Sequence, residues 1–364
     1  MNSPYEKLRE RLQVPERPIQ ALIGLDGFVD TILHVVDQRY DSTHYSRIET
    51  LSDYGKRVME ACGMSLNLEV VIQQEKIGGN GPIFASGLKT LGAKTTYIGA
   101  IGVEQIHPVF AELTADGCSA IGVAEPALTD AYEFRDGKLI SSKLNSLNNL
   151  TWQSVSRAIS PQCFAEMLDA ADVFSFNNWT MIPDMNHIWA QILETVMPNM
   201  KQHTKSRIAF FDLADPRKRT KADILTALNL IQRFAEEGFR TILGLNYKEA
   251  LQVQKIITAS ATDESLEAIL RTIEEFMGID AVVIHKTSGA ACIQNNIFTE
   301  IPTTYCDSPQ IKTGCGDVFN AGFIYAQAHA WTTAECLALG NLMAGYYIRN
   351  ARIATPRVLS DFCL

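Results

Sequence analysis

The sequence predicts an α/β fold, a doubly wound three-layer α/β/α sandwich with a small β lid. Short apolar segments with strand character alternate with helical patterns along most of the 364 residues, which is the rhythm of βαβ units. Hydrophobic residues make up 46% of the chain and charged residues 20%, as in an ordinary globular protein. No period of about 20 to 50 residues recurs, which argues against a solenoid. We therefore expect one domain over residues 1–364.

The N-terminal part is expected to begin with a charged helix at 5–13, followed by strands at 19–25 and 28–36. A second helix is expected near 49–62 and a third strand at 66–73. Pro15 and Pro18 end the first helix, because proline cannot continue one. The region 40–75 is more polar than its surroundings. We therefore expect it to lie outside the main sheet.

After the glycine-rich stretch GGNGP at 78–82, the chain has the pattern of a helix, a glycine turn and a strand. A DG turn between alternating runs predicts a hairpin at 129–145. The remaining strands are expected at 171–176, 207–213, 240–245 and 281–286. Two closing helices are expected at about 315–330 and 333–349. The lid is assigned to segments near 28–38, 66–76 and 130–144.

Charge and composition exclude several classes of function. The net charge of −9 and the sequence pI of about 5.4 leave no basic field for nucleic acid or for an anionic membrane. No apolar run is long enough to cross a bilayer, and the N-terminus has no apolar signal core. The eight cysteines include no CxxC pair, which indicates reduced thiols. We expect a cytoplasmic protein without nucleic-acid or membrane partners.

The segment TGCGDVFNAGFIYAQ, residues 313–327, places two glycines and an aspartate before a helical pattern. The first amides of a helix have no intrahelical acceptors, and glycines let an anion approach them. A carboxylate beside a transferring phosphoryl group suggests a base for an attacking hydroxyl, and hence a kinase. The alternative is that Gly314 and Gly316 only shape a loop and that Asp317 caps the first turn. Walker, dinucleotide-binding and HExxH motifs do not occur.

The same segment resembles the second signature of the ribokinase-like (PfkB) carbohydrate kinases, whose usual form is DTTGAGDAFxAGF. Further resemblances follow in the family's order: GLDGFVD at 24–30, GGNGP with the ASGLKTLGAKTTYIGAIG after it, FFDLADPR at 210–217 and LNYKEA at 245–250. The resemblance covers nearly the whole chain, apart from a longer polar insertion at 39–65. It implies the ribokinase-like form of the predicted sandwich.

By this resemblance, Asp317 is the base that activates a substrate hydroxyl. The backbone amides of Gly314, Cys315 and Gly316 would form the anion hole for the transferring phosphate. ATP is the implied co-substrate, and Mg²⁺ the implied metal. Asn246 and Glu249 would organise the metal through its waters, since Mg²⁺ prefers few carboxylates plus water.

Two further sets of residues are implied. Sugar hydroxyls would be held by Asp26, Asp30, Gly79 and Asn80, because carboxylates and amides suit a pair of hydroxyls. The nucleotide would be contacted by Asn246, Lys286, Lys312, Thr313 and Asn341.

Some of these residues have simpler explanations. Asn-x-x-Glu by itself is more often a capping arrangement, and Asp26 with Gly27 is equally a turn after the strand. Cys315 is interpreted as a small gap-filling side chain rather than a nucleophile at a helix N-terminus. His285 lines the nucleotide site or is a packed histidine.

The sequence therefore predicts a phosphotransferase that moves the γ-phosphoryl group of ATP to a hydroxyl of a sugar or sugar-like substrate. The alternatives are a nucleoside kinase or an ADP-dependent kinase of the same fold, and, in another class, a noncatalytic sugar-binding regulator. The presence of Asp317 favours an enzyme, because a binder needs the pocket but not the base. The resemblance also implies a homodimer through the lid, an edge that the insertion could extend or block.

We predict that catalysis is independent of K⁺. Where family members have Asp-Thr-Thr-Gly, this chain has Ile311, Lys312, Thr313 and Gly314, and an isoleucine cannot coordinate K⁺. The ammonium of Lys312 would supply fixed positive charge beside the anion hole instead. The alternative is that Lys312 points to solvent and that the cation site is simply lost. Turnover should be equal with and without K⁺, and Lys312→Met should raise the nucleotide KM or lower turnover. Strong stimulation by K⁺ would contradict the first part, and an unchanged variant the second.

Overall fold

The computed structural model describes residues 4–115, 118–201, 207–258, 264–311 and 313–362. Nine strands form the main sheet, and their spatial order is β14 (Ile297–Pro302), β13 (Gly289–Gln294), β12 (Ala281–Lys286), β11 (Arg240–Asn246), β10 (Ile208–Asp212), β9 (Val173–Phe176), β1 (Gln20–Leu25), β5 (Lys94–Gly99) and β6 (Cys118–Gly122). The strands from β12 to β6 are parallel. The hairpin β13–β14 adds to them antiparallel.

A second sheet lies beside the first, formed by β2 (Phe28–Arg39), β3 (Tyr45–Arg47), β4 (Val70–Gly78), β7 (Ala127–Phe134) and β8 (Gly137–Lys143). The long strand β2 pairs in parallel with β7 and antiparallel with β4 and β3. The strand predicted at 66–73 is displaced, because pairing with β2 begins at Val70 and continues to Gly78. Residues 66–69 precede the strand.

The helices are α1 (Pro4–Leu12), α2 (Leu51–Glu60), α3 (Asn80–Thr90), α4 (Ala111–Thr114), α5 (Trp152–Ala158), α6 (Pro161–Ala170), α7 (Met185–Gln191), α8 (Lys221–Glu236), α9 (Tyr247–Thr258), α10 (Leu266–Met277), α11 (Cys315–Ala328), α12 (Thr333–Asn350) and α13 (Pro356–Phe362). None of these helices combines the length and the apolar character needed to cross a membrane, within the part of the chain that the structure describes.

The core has two halves, one on each face of the main sheet. The first half includes a group of aromatic side chains: Phe164, Phe174, Phe176, Trp189, Phe211 and Phe234. The second half joins α3, α11 and α12 to the other face through Phe84, Phe210, Phe319 and Phe323. Helices therefore cover both faces, which confirms the three-layer α/β/α prediction. The edge strands β6 and β14, the strand β13 next to β14 and the last helix α13 lie outside the predicted elements.

Helix α11 is held in the middle of its layer by unusually close contacts at glycines. A Cβ atom on Gly340 of α12 would lie 2.6 Å from Cε2 of Phe319 in α11. A Cβ on Gly322 of α11 would lie 2.8 Å from Sδ of Met343, and one on Gly87 of α3 would lie 2.5 Å from Cβ of Ala321. These contacts leave no room for side chains, so they fix where the N-terminus of α11 points.

We predict that Gly340→Ala destabilises the protein, because the added methyl group would force α12 away from Phe319. Overpacking of this kind costs about 1–3 kcal/mol of unfolding free energy, measurable by urea denaturation. Gly345→Ala is the matched control in the same helix, where the nearest atom to a new Cβ is Nη1 of Arg349 at 3.5 Å. That change should be neutral or stabilising by up to about 1 kcal/mol. Equal stabilities for the two variants would contradict the packing argument.

Candidate active site

The carboxyl ends of the parallel strands meet at one edge of the main sheet. The chain proceeds from β1 through β5 to β6 on one side, and later from β9 through β12 on the other, so the strand order reverses beside β1. Open α/β sheets bind ligands outside the carboxyl ends of their strands at such a point. Asp26 follows β1 there, Asn178 lies just after β9, and Asp212 ends β10.

Asp26 is the most enclosed of these carboxylates, with 0% of its surface exposed. Its Oδ2 accepts hydrogen bonds from the backbone N–H of Asn80 (2.9 Å) and from Nδ2 of Asn178 (2.7 Å), and its Oδ1 accepts one from the N–H of Gly81 (2.8 Å). Burial raises the pKa of Asp26 to about 6, and these hydrogen bonds oppose the rise. Asp26 thus joins β1, the GGNGP segment and the end of β9.

Asn80 connects Asp26 to the predicted catalytic aspartate. Its side-chain Nδ2 donates a hydrogen bond to Oδ1 of Asp317 over 2.8 Å, while its backbone N–H is bound by Asp26. Gly79 before it has φ 101°, and a Cβ there would lie 2.7 Å from Oδ2 of Asp26. Glycine is therefore required at position 79 by both conformation and space.

The N-terminus of α11 is built as the sequence predicts, with Gly314 at φ 80° before the first helical residue, Cys315. No side chain caps this end, so the backbone amides of the first turn are left for other acceptors. A Cβ on Gly316 would lie 2.8 Å from Cε1 of His285, which packs beneath the turn.

Cys315 and His285 both support the packing interpretation. Burial and the charge of Asp317 raise the pKa of the Cys315 thiol to about 11, which keeps it protonated and a poor nucleophile. Burial lowers the pKa of His285 to about 4, so its ring is neutral. The ring lies against Phe319, with centroids 5.2 Å apart.

Asp317 is 7% exposed and lies in the field of other carboxylates. Burial raises its pKa well above the ordinary value, and the charges of Asp212, Asp26 and Glu249 raise it further, while the hydrogen bond from Asn80 opposes the rise. A carboxylate of raised pKa is a stronger base whenever it is ionised.

Asn246 and Glu249 form a capping arrangement at the start of α9. Oδ1 of Asn246 accepts from the N–H groups of Lys248 (2.9 Å) and Glu249 (3.1 Å), and Oε2 of Glu249 accepts from the N–H of Asn246 (2.8 Å). This is a reciprocal capping box. Burial raises the pKa of Glu249 to about 9, and the charges of Asp212 and Asp215 contribute to the rise.

Asp212 is the site carboxylate that the sequence analysis did not single out, although FFDLADPR contains it. Its Oδ1 accepts from the N–H of Ala214 (2.7 Å) and its Oδ2 from Nδ2 of Asn320 in α11 (2.8 Å). Burial raises its pKa to about 6. The charge of Asp212 raises the pKa of both Glu249 and Asp317, so Asp212 is electrostatically coupled to both.

The residues present fit a Mg²⁺ ion held through water. Among the residues that the structure describes, no three His, Cys, Asp or Glu side chains converge as direct metal ligands. Asp212, Glu249 and Asp317 nevertheless disfavour one another's ionisation, and a cation between them would relieve that repulsion. Mg²⁺ commonly keeps several waters and uses one or two carboxylates, so these side chains fit it as partners of its bound waters.

The predicted nucleotide residues fall into separate groups. Nζ of Lys286 forms an ion pair with Glu300 (3.2 Å), and Nδ2 of Asn341 donates to the carbonyl of Ile301 (3.0 Å), so both contact β14. Thr313 is exposed and lines a cavity beside the second sheet. Lys312 lies outside the described residues.

A cavity of about 190 Å³ separates the second sheet from the Asp26 network. Its lining residues are Phe28, Asp30, Ile32, Lys76, Gly79, Asn80, Thr129, Ala131, Lys138, Ile140, Ser142, Asn178, Met181 and Thr313. Three of the four residues predicted to bind the sugar, Asp30, Gly79 and Asn80, therefore line one cavity. Asp26 is not among the lining residues; it lies behind the loop that carries Gly79 and Asn80.

Polar groups in this cavity are available for a ligand. Asn178, 3% exposed and in the left-handed region at φ 60°, uses its Nδ2 on Asp26, while its Oδ1 has no partner among the described residues. Burial raises the pKa of Asp30, and the nearby charge of Lys76 opposes the rise. Asn178 was not among the residues predicted from the sequence, where its only signal is its place after β9.

Comparisons with known proteins cover nearly the full chain. The family model described as prokaryotic ketohexokinase matches residues 4–362. A ketohexokinase of Haloferax volcanii is 24% identical over 356 residues, covering 97% of this chain and 93% of that protein.

Solved structures share the fold at low sequence identity. A ribokinase from Thermotoga maritima superposes with a TM-score of 0.63 at 16% identity, covering 95% of this chain and 99% of that one. An adenosine kinase from Sinorhizobium meliloti superposes with a TM-score of 0.65 at 17% identity, covering 95% of this chain and 99% of that one. The Arabidopsis thaliana ribokinase complexed with ribose and ATP superposes with a TM-score of 0.64 at 14% identity, covering 96% of this chain and 99% of that one. These likenesses confirm the ribokinase-like fold.

We predict that Glu249→Gln flattens the pH dependence of stability in Mg²⁺-free buffer. The pKa of Glu249 is about 9 when folded and near 4.5 when unfolded, so the folded state binds more protons between these values. Unfolding free energy should therefore fall as pH rises from 5.5 to 8.5 (roughly), by at most about 1.4 kcal/mol per pH unit from this group. The variant loses that contribution.

Urea denaturation with a chelator at several pH values measures the difference. Glu275→Gln, which removes an exposed carboxylate from α10, is the control and should keep the wild-type slope. Parallel pH slopes for wild type and Glu249→Gln would show that Glu249 is not a strained carboxylate.

Proposed function

This chain belongs to the prokaryotic ketohexokinase family, and from that premise we propose that it transfers the γ-phosphoryl group of ATP to a hydroxyl of a ketohexose. The family makes the protein a carbohydrate kinase, which confirms the predicted enzyme class. One observation supports the proposed site most directly: Asn80, which lines the cavity, hydrogen-bonds the aspartate at the N-terminus of α11.

The polar groups of the cavity suit a monosaccharide. The carboxylate of Asp30 and Oδ1 of Asn178 are acceptors for sugar hydroxyls, and Asn80 and Gly79 form the wall toward Asp317. We assign Asp26 a positioning role, because its carboxylate already accepts three protein hydrogen bonds.

Asp317 acts as the general base in this proposal. Its Oδ1 accepts from Asn80, which leaves Oδ2 to take the proton of the attacking hydroxyl. The sugar oxygen then bonds to the γ-phosphorus as the bond from that phosphorus to the bridging oxygen of ADP breaks. The raised pKa of Asp317 strengthens it as a base.

The first turn of α11 supplies the proposed anion hole. The amides of Gly314, Cys315 and Gly316 lack side-chain caps, and the positive end of the helix dipole favours the charge on the transferring group. Gly314 and Gly316 keep the approach to these amides free of side chains.

The metal and nucleotide ends of the site follow from the remaining residues. Asp212 and Glu249, with Asn246 fixing the start of α9, would hold Mg²⁺ through water, and the ion would neutralise phosphate charge. Lys286 and Asn341 would contact the nucleotide beside β14. The ammonium of Lys286 would then leave its ion pair with Glu300 and bind the nucleotide instead. Thr313 would flank the phosphates, and Lys312, which lies outside the described residues, stays a predicted nucleotide contact.

The homodimer through the second sheet is also a proposal. On the face away from the cavity, this sheet exposes Leu128 and Leu139, which a second copy would cover, and β4 also exposes Val70 and Ile72. Exposed apolar side chains that share one face commonly mark an interaction site.

Coupled assays of nucleotide consumption across ketohexoses, aldoses, sugar acids and nucleosides, each with ATP and ADP, test the proposed function. We expect the highest kcat/KM for a ketohexose with ATP. Asp317→Asn should keep sugar binding, measured by calorimetry, and lower kcat by roughly 10²–10⁴. A nucleoside or ADP preference would replace the proposed substrates, and a kcat within a few fold of wild type would remove Asp317 from the mechanism.

A further inference from the structure

Lys76 and Asp30 form a cross-strand pair in the wall of the cavity. Lys76 of β4 lies directly opposite Asp30 of β2 in the antiparallel register, and both residues line the cavity. Directly opposed residues of antiparallel strands share one face of the sheet. The second sheet therefore presents an ammonium and a carboxylate side by side to whatever occupies the cavity.

The ammonium of Lys76 differs from its neighbours in having no close partner. Nζ of Lys138, in the same wall, is bound by Glu133, and Nζ of Lys143 is bound by Asp130 at 2.9 Å. Across the described segments, Lys76 makes no hydrogen bond and no ion pair within 4.0 Å. Asp30 acts on it only as a nearby charge.

Burial makes this lack of a partner costly. Lys76 is partly buried, and burial lowers its pKa while the charge of Asp30 opposes the fall. An ammonium that has lost water and gained no acceptor is destabilising, and a ligand oxygen would remove that penalty. The lysine is placed to recognise a ligand rather than to stabilise the sheet.

We propose that Lys76 is a specificity-determining residue, whose ammonium donates hydrogen bonds to a hydroxyl oxygen of the sugar while Asp30 accepts from the adjacent hydroxyl. The inference rests on the proposed function, since it assigns a role within the same sugar cavity. A hydroxyl can both donate and accept a hydrogen bond. An ammonium beside a carboxylate therefore fixes the orientation of two neighbouring hydroxyls, because one must accept from the ammonium and the other must donate to the carboxylate. A sugar that lacks one of them leaves a buried polar group unpaired and is rejected.

Lys76→Met tests the proposal, because it removes the charge and keeps a long unbranched side chain. The ketohexose Kd, measured by calorimetry without nucleotide, should rise by about 10- to 100-fold, and the nucleotide KM should not change. Lys76→Gln keeps a neutral donor and should recover part of the affinity. No rise in Kd for Lys76→Met would overturn the proposal.

Monodeoxy ketohexoses identify the hydroxyl. One of them, lacking a single hydroxyl remote from the phosphorylated position, should bind wild type more weakly by about the same factor. The Lys76→Met variant should not distinguish that deoxy sugar from the parent. If every deoxy sugar loses the same factor of affinity in wild type and in the variant, Lys76 contacts no hydroxyl.

A lysine on the other face of the second sheet separates contact from charge. Lys143→Met removes a charge without touching the cavity and should leave the ketohexose Kd unchanged. An equal rise in Kd for Lys143→Met would overturn the proposal in favour of a general field effect. Failure of the proposed function would appear differently, as a wild-type protein that phosphorylates no ketohexose.

Discussion

The arrangement of the site depends on one buried carboxylate. Asp26 accepts hydrogen bonds from Asn80, Gly81 and Asn178, which belong to segments far apart in the sequence. Through Asn80 the same network reaches Asp317 in α11. A carboxylate without exposure to water must be satisfied by protein donors, so the three segments are held together by a requirement of burial. Glycines at 79 and 81 permit the approach.

A second constraint is electrostatic and acts in the opposite direction. Asp212, Glu249 and Asp317 are gathered at the strand ends, where each disfavours the charge of its neighbours. The packing of α11 at Gly87, Gly322 and Gly340 fixes the position of Asp317. The raised pKa values of Glu249 and Asp317 favour their protonated forms, and a bound divalent cation, as proposed, would shift both toward ionisation.

The sequence predicts the fold well because most strands and helices carry their own signals. Strands β6 and β13 do not, since CSAIG and GAACIQ consist largely of small residues that fit a helix or a strand. Motif order identified Asp317, Asn80 and Asp30, which the structure brings close to one cavity. Asn178 and Lys76 could not be found in this way, because their importance arises from neighbours in space. Asn178 meets Asp26 across 152 positions of the chain.

The long strand β2 has a consequence for how water is excluded as a phosphate acceptor. Only Asp26 and Gly27 separate it from β1, and only Gly79 separates β4 from α3. Asp30 therefore belongs to the second sheet and Asp317 to the helical layer of the main sheet, and residues 123–126 form a third short connector between the two sheets. A ligand that contacts both aspartates must span the distance between the sheets, which a single water molecule is too small to do. In the proposed reaction, the length of the acceptor would therefore help to distinguish a sugar from water.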